Sequence, residues 1–561
     1  MKVLIEGQSY PAEIAQKILG KVTSSNTTGD VIFPYVGYFF NKLTSESMIC
    51  LPKVVMQKSK NEELAFGSIH YLDIIDAFSK NSQRLTEEQQ VFIKDFALWS
   101  YRTISTYAKL NPDSKVVKRA KPSSLSQHDN IETGTLLDVI LAIVKFYNEN
   151  KDYFMYVIKN LHSGYNRVNW GKTVTKKTPV LKNGTPIYLD VVNKKKQIDF
   201  DEELMLIFYS ILNYINSNYG FDLRIECNYD VITGNEFELY KEEIGLIRLR
   251  KIKYKYFSDK DILIWRLCYS FFEKTSKLRS GEKGEDYLFV TNFDRVFESM
   301  VNSLISDTNI PQKLIEQKDG KLIDHIFIYK SPIDDTPIYY IGDSKYYKTQ
   351  QGVHDTSLYK QYTYAKNVIQ FHFDKRTKEE EKKVQYRDEV SEGYAFTPNF
   401  FISAYIPDEL SYESNHIVHR KLIRNESLLT HFDNRLFDRD TLWLSHYDVN
   451  LLYIMSLYAR DDSSEQQLFK SSFREHVQSG FKKMLNAEYR FFWVTPQEPA
   501  KEFIKTHFYY LNGRVYIPSV EENKMLLAIK TENLNDNIPG ENFTLMQFLE
   551  SKHTRIEDYE I

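Results

Sequence analysis

The chain of 561 residues carries 73 Lys and Arg against 76 Asp and Glu, a formal net charge of −3, with 42% hydrophobic and 27% charged residues. That length exceeds one ordinary core and implies three or four packed units, and the balance excludes a disordered or membrane class. Near-neutral charge also excludes a uniformly basic polyanion binder, so any polyanion site must be local.

The N-terminus, MKVLIEGQSYPAEIAQ, meets charge and proline before an apolar run long enough for a signal peptide. No stretch approaches the roughly 18 apolar residues of a membrane span. A cytoplasmic location with no membrane partner is expected. Cys50, Cys227 and Cys268 lie far apart without CxxC or His-Cys spacing, which reads as reduced core thiols rather than disulfides or zinc. Residues 1–60 read as short strands, with Val31–Phe40 and Met48–Met56 as β-rich runs. Residues 66–110 and 131–162 change to helical spacing, as in Leu136, Leu137, Ile140, Ile143, Val144 and Tyr147. Polar, lysine-rich connections occupy 111–130 and 164–200, the latter with a hairpin at Lys182-Asn183-Gly184. Helices follow at Glu202–Ser217 and Asp259–Lys277, and the charged break Ser276–Gly284 marks an internal boundary. The expected units are 1–130 (β and helical), 131–285 (mainly helical and basic), 286–405, and 406–561. The last mixes helices at Val449–Tyr458 and Glu465–Asn486 with strand-like runs at Tyr489–Val494 and Phe508–Tyr516. Between Asp374 and Lys383 a charged exposed loop or helix end is expected.

Four basic clusters stand out: Lys115–Lys121, Lys172–Lys177, Lys194–Lys196 and Arg248–Lys255. Lysines with interleaved tyrosines suit phosphate contacts and base stacking, yet a solvated face explains any one of them equally well.

The chemistry concentrates between 293 and 370. The strand-like run from Lys321 to Lys330 contains Asp324, and a second, Ile338 to Lys345, ends in Asp343-Ser344-Lys345. Asp334-Asp335 between flanking prolines supplies a hairpin connection, making the strands antiparallel neighbours. Asp324 then lies across from Asp343, and Asp343 and Lys345, two apart, share a face. Two facing carboxylates repel unless a cation separates them, and an all-oxygen pair suits Mg²⁺. Such an ion can polarise a phosphodiester and activate water, with Lys345 orienting or deprotonating that water and stabilising the charged transition state. Ser344 points to the opposite face, so the ligand it can offer is its backbone carbonyl. Upstream, a helical stripe of Phe293, Val296, Phe297, Met300, Val301 and Ile305 leaves Glu298 beside it. Downstream, a helix with Leu358, Tyr362, Ala365 and Ile369 as its core face leaves Lys360, Gln361 and Tyr364 for substrate. Other acid-x-Lys triplets, Asp113-Ser-Lys115, Glu316-Gln-Lys318 and Glu381-Lys-Lys383, lack an apolar strand and a second acid about twenty residues earlier. The bland alternative is a surface salt bridge of small energetic value.

The order helical Glu298, Ile323-Asp324, Gly342-Asp343-Ser344-Lys345-Tyr-Tyr-Lys348 and Tyr359-Lys-Gln-Tyr-Thr-Tyr-Ala365 resembles the PD-(D/E)xK nuclease core of LlaJI-type restriction endonucleases and the related McrC nuclease subunits. Pro34–Asn41 with Leu51-Pro-Lys-Val54, Gly164–Thr173 and His446–Tyr458 extend the likeness. The resemblance implies a mixed α/β, restriction-endonuclease-like core with a mixed central sheet flanked by helices at 286–405, and β/helical N-terminal and mixed C-terminal domains around it. It implies Asp324 and Asp343 as Mg²⁺ ligands, Lys345 as the catalytic lysine and Glu298 as an accessory acid, in an enzyme that cuts double-stranded DNA in defence against foreign DNA. Ile323 replaces the proline of the motif, and Gln361-x-x-Tyr364 is one residue shorter than the Gln-x-x-x-Tyr helix of RecB-like nucleases.

Gly171-Lys172-Thr173 is not a P-loop, because six residues separate it from Gly164 where four are needed. The chain thus carries no motor, and a McrC-like subunit would depend on a separate AAA+ GTPase. A non-catalytic DNA-binding module on a nuclease fold is the third reading. No HExxH or GxSxG competes, and His416 and His419 lack a third ligand. Residues 1–285 are favoured for reading bases, and cutting both strands favours a homodimer.

Overall fold

The computed structural model describes the chain apart from residues 20–29, 43, 60–61, 80–83, 120–133, 152–169, 190–201, 222, 226, 228, 280–285, 317–321, 335, 348–354, 374–396, 421–427, 430–433, 439–440, 461 and 518–522. Lys194–Lys196, Gly164–Trp170 up to its last residue, and Asp374–Lys383 therefore lie outside the described residues.

The N-terminal sheet is built from β1 (Lys2–Ile5), β2 (Val36–Asn41), β3 (Glu46–Leu51), β4 (Val117–Arg119) and β5 (Tyr287–Val290), in the spatial order β1-β3-β2-β5-β4. β1 runs parallel to β3 and the other pairs are antiparallel. At the β2–β5 crossing Gly37 has φ +137°, and a Cβ there would fall 2.4 Å from the Leu288 carbonyl, so glycine is what lets the strands close. The long helix α1 spans Glu87–Leu110, not 66–110. Phe66 and Gly67 have positive φ, and an isolated bridge joins Ala65 to Ile69. Helix starts only where Thr86 and Gln89 form a reciprocal capping box.

A helical unit follows. α2 (Leu136–Glu149), α3 (Glu202–Asn218), α4 (Gly245–Ile252) and α5 (Asp259–Arg279) share an apolar cluster that includes Ile140, Phe208, Leu212, Leu249 and Phe271. The expected hairpin pairs Val180–Lys182 with Thr185–Ile187, with Asn183 and Gly184 in the left-handed conformation of a tight hairpin turn.

The third assembly is a six-stranded mixed sheet of β6 (His325–Lys330), β7 (Pro337–Lys345), β8 (Pro398–Tyr405), β9 (Ile417–Arg420) and β10 (Leu442–Asn450), ordered β6-β7-β8-β10-β9, with the short Leu428–Leu429 also paired to β10. β7, β8 and β10 run parallel, while β6 and β9 are antiparallel at the edges. Parallel central strands are buried on both faces, and β10 is buried at every position. On one face Tyr339 and Ile341 pack with Tyr364 and Val368 of α7 (Asp355–Phe373). The other face packs with α6 (Phe293–Ile305) and α9 (Ser463–Glu488) through Phe297, Tyr340, Phe400, Phe473 and Phe481, beside α8 (Leu451–Ala459). An antiparallel sheet closes the chain: β11 (Tyr489–Thr495), β12 (Val515–Tyr516), β13 (Met525–Lys530) and β14 (Arg555–Tyr559), ordered β12-β13-β11-β14. Phe508–Leu511, expected as strand, is a helical turn.

Sheet pairing crosses the unit boundaries read from the sequence. The break expected at 276–284 is still α5 as far as Arg279, the rest lying outside the described residues; β5 follows it yet joins the N-terminal sheet, and β10 lies beyond 405 yet is a central strand of the mixed sheet. Strand partners are chosen by hydrogen bonds between distant segments, which local composition does not encode. Cys50 and Cys268 are buried and all three thiols are free.

Candidate active site

β6 and β7 pair so that His325 opposes Gly342. The same register, carried one residue outward, sets Asp324 opposite Asp343. Gly342 is required by this crossing, because a Cβ there would lie 2.4 Å from the Phe400 ring and 3.2 Å from the His325 Cβ. Asp324 Oδ2 accepts the Ser344 backbone N–H at 3.1 Å, which ties the first acid to the strand that carries the second. Asp343 forms an ion pair with Lys345 and a longer one with Lys360 of α7 at 3.4 Å. Burial, then the neighbouring charge of Asp324, raises the Asp343 carboxyl above its usual range, with Lys345 acting against them.

Glu298 on α6 reaches the same place. Its carboxyl is pushed up to about 7, first by burial and then by Asp324, and Arg295 pairs with it at 2.9 Å. The charge of Asp324 thus acts on both Asp343 and Glu298, and a cation beside the acids would relieve that repulsion. Among the described residues no group of three or more His, Cys, Asp or Glu side chains is placed to hold a metal ion. Mg²⁺ does not demand one, since it commonly takes one or two carboxylates and keeps several waters. Asp324 and Asp343, with the Ser344 carbonyl, are a donor set of that kind.

The Ser344 side chain does lie on the reverse face, where its Oγ is 2.5 Å from His325 Nε2. Burial pushes this histidine down to about 3, so it is neutral. Gln361, expected at the substrate, has no exposed surface; its amide donates to the Ile341 carbonyl at 3.1 Å and to Asn399 Oδ1 at 3.3 Å. It holds α7 against β7 and β8. Tyr364, also expected at the substrate, sits in the apolar cluster with Ile323 and Ile341, its ring 5.3 Å from the Lys360 ammonium. The buried stripe of α7 runs through Gln361, Tyr364, Ala365 and Val368, about one position away from the predicted one. A glutamine buried inside the protein, its amide nitrogen bonded, misleads a reading that takes polar as exposed. Lys360 is exposed and remains the member of that trio on the open side.

The structure adds a polar cluster that the sequence reading missed. Lys345 pairs in register with Ser403 of β8, and Ser403 with Asp448 of β10. Side chains at matched positions of neighbouring strands share a face. Ser403 Oγ lies 2.8 Å from His446 Nε2, and Arg420 donates from Nε to Asp448 at 2.8 Å. His446 is pushed down to about 3 by burial and by Arg420, and Asp448 up to about 6 by burial. Asp448 approaches the same nitrogen that Ser403 uses, at 3.8 Å, so this is no nucleophilic triad, which needs acid and hydroxyl on opposite ring nitrogens. The available signal was the spacing His446-x-Asp448 within a strand that begins and continues with large apolar residues. The strand end is clamped from the N-terminal unit. Tyr346, next to Lys345, donates to Glu6 Oε2 at 2.6 Å and accepts the Lys53 backbone N–H at 3.0 Å.

A mixed α/β sheet flanked by helices, with these charged residues at the ends of adjacent strands, is restriction-endonuclease-like. Residues 78–383 match the family described as LlaJI restriction endonuclease, and with more than half of its length matched the chain belongs to that family. No curated protein and no solved structure matches. No helix among the described residues is long and apolar enough to cross a membrane.

Proposed function

We propose that this restriction endonuclease hydrolyses phosphodiester bonds of double-stranded DNA at Asp324, Asp343 and Lys345 with Mg²⁺, as part of defence against foreign DNA. The observation that carries the reading is the register that sets Asp324 opposite Asp343, with Lys345 on the Asp343 carboxylate. Asp324, Asp343 and the Ser344 carbonyl would hold Mg²⁺, which when bound would supply Lewis-acid polarisation of the phosphate and a more acidic water. Lys345 orients that water and offsets charge on the phosphoryl oxygens. Glu298, held near neutrality in its pKa, serves as an accessory proton acceptor or outer ligand. Lys360 offers a cation to the DNA backbone, and a homodimer would supply a second site for the second strand.

The test is incubation of purified protein with methylated and unmethylated plasmid, with and without Mg²⁺ and GTP. Cleavage with Mg²⁺ alone is expected. Cleavage only after addition of a separate AAA+ GTPase and GTP would place the chain with McrC-like subunits instead. Lys345→Ala and Asp343→Ala should each lower cleavage by at least about 10²-fold while DNA affinity is largely kept. Full activity of Lys345→Ala would overturn the assignment and favour a non-catalytic DNA-binding role for this site.

A further inference from the structure

Between α4 and α5 the chain turns through a short 3-10 segment, Lys253–Lys255. The stretch 245–258 holds five Lys and Arg and no acid, in a chain of net charge −3. Leu249 and Ile252 point into the helical core, which forces the charged residues between and after them outward. Two aromatic rings stand out as well: Tyr254 is 82% exposed and Phe257 90%. Rings of this size normally find cover, and two left uncovered among lysines mark a surface that a ligand completes. The base of the tip is well fastened. Arg250 donates from Nη2 to the Tyr269 hydroxyl at 3.2 Å, and the Trp265 indole donates to the Leu249 carbonyl at 2.7 Å. The Lys253 ammonium rests 5.5 Å from the Tyr254 ring and 5.6 Å from that of Trp265.

We propose that this tip is a DNA-contacting surface, its lysines on backbone phosphates and Tyr254 and Phe257 stacking on bases at an opened or unpaired step. The proposal rests on the DNA-cleaving reading of the active site and says where the same substrate is held. Protein interfaces are depleted in lysine, whereas a row of cations with interleaved rings is what a nucleic-acid backbone and its bases require. The placement fits. α5 runs from the tip to Lys274, whose ammonium donates to the Gly134 carbonyl at 2.8 Å and pairs with Asp286 at 3.9 Å, just before β5 and α6. At the helical rise, the tip stands about 20 Å from that junction, within the span of one turn of duplex, about 34 Å.

The test uses full-length protein without divalent cations, so that binding is read without cleavage, and labelled DNA of about 30 nucleotides as duplex, as single strand and as duplex with a central bubble. Lys251→Ala/Lys253→Ala/Lys255→Ala should weaken binding at least about tenfold at moderate salt and flatten the slope of log affinity against log salt by about 2 to 3. Tyr254→Ala/Phe257→Ala should weaken binding about tenfold with the slope unchanged, more for the bubble and single strand than for duplex. Lys→Gln versions, which keep the aliphatic stems, should match the Lys→Ala result. Wild-type affinity in both sets, or a change in sedimentation with DNA affinity intact, overturns the proposal and points to a protein partner. If the wild-type protein binds DNA and Lys345→Ala is inactive while the tip variants bind normally, the tip proposal alone fails. If the wild type binds no DNA, the active-site reading fails with it.

Discussion

Single side chains at this site do work that their type alone does not announce. Gln361 is an amide that fastens α7 to β7 and β8, and Gln361→Leu keeps the volume but strands the Ile341 carbonyl and the Asn399 side chain. A loss of about 1–3 kcal/mol in urea unfolding is expected, against less than about 1 for an exposed surface substitution such as Lys360→Ala. If Gln361→Leu were as stable as wild type, the positioning role would be wrong. The opposite outcome is expected for activity: Lys360→Ala should raise KM for DNA while leaving stability unchanged, measured by cleavage kinetics at several salt concentrations. Gly342 is decided by a neighbour rather than by its own backbone. Gly342→Ala pushes on the Phe400 ring and the His325 Cβ, so overpacking of about 1–3 kcal/mol is expected, together with a loss of cleavage because Asp343 is the next residue.

Among the elements, β7 matters most because contributions from three directions meet at its end. β6 supplies Asp324, α7 supplies Lys360, and the N-terminal unit holds Tyr346 through Glu6 and Lys53. Tyr346→Phe keeps the ring packed against Phe293 and Phe297 but leaves the buried Glu6 carboxylate without its hydroxyl donor. A stability loss of about 1–3 kcal/mol follows. If β7 transmits that slackening to Lys345, kcat falls while KM stays unchanged; an unaltered kcat would show that the clamp serves stability alone. The strands themselves were legible in advance because short apolar runs bounded by turn residues have few alternatives, and the β6–β7 register was legible because the connection is short. The rotation of α7 was not, since a buried amide carries the same hydropathy as a solvated one.

On the scale of the whole molecule, the N-terminal sheet and the mixed sheet share a core. One apolar cluster runs from Val3 of β1 through Phe297 of α6 and Phe400 of β8 to Phe481 of α9. A fragment of residues 286–405 would lose β10 beside β8 and leave β5 without β2 and β4, exposing unpaired strand edges. It is expected to be unfolded by circular dichroism, and a cooperative transition in the isolated fragment would contradict this. The helical unit is joined to the rest by a buried polar knot. Asp286 accepts the Leu136 N–H at 3.1 Å and the Tyr38 hydroxyl at 3.0 Å and faces Lys274. Burial raises its carboxyl from 3.8 to about 6, with Lys274 acting against the rise. A carboxyl whose folded pKa is raised is most compatible with the fold when protonated, so its cost is absent below the unfolded value and complete above the folded one. Its contribution to stability therefore falls between about pH 4 and 6, by up to about 3 kcal/mol. The stability difference between wild type and Asp286→Asn, measured by denaturant at pH 4 and pH 6.5, should shift in that direction; a constant difference would refute the assignment.

The sequence by itself determined the chemistry-bearing order, helical Glu298, then Asp324, then Asp343 and Lys345. A period of two puts alternate strand residues on one face, and a short hairpin fixes which residues oppose each other. It determined the extents of α3, α5, α8 and α9 to within about two residues, but not the starts of α1 and α2, whose capping threonines lie inside the longer runs read as helix. Only the tertiary structure decided that β5 belongs to the N-terminal sheet, that β10 brings His446 and Asp448 onto the face of Lys345, and that Glu6 reaches across 340 positions to Tyr346. These are pairings between segments far apart in the chain. They are selected by the burial and hydrogen bonding of the whole assembly, and no local pattern carries a record of the partner.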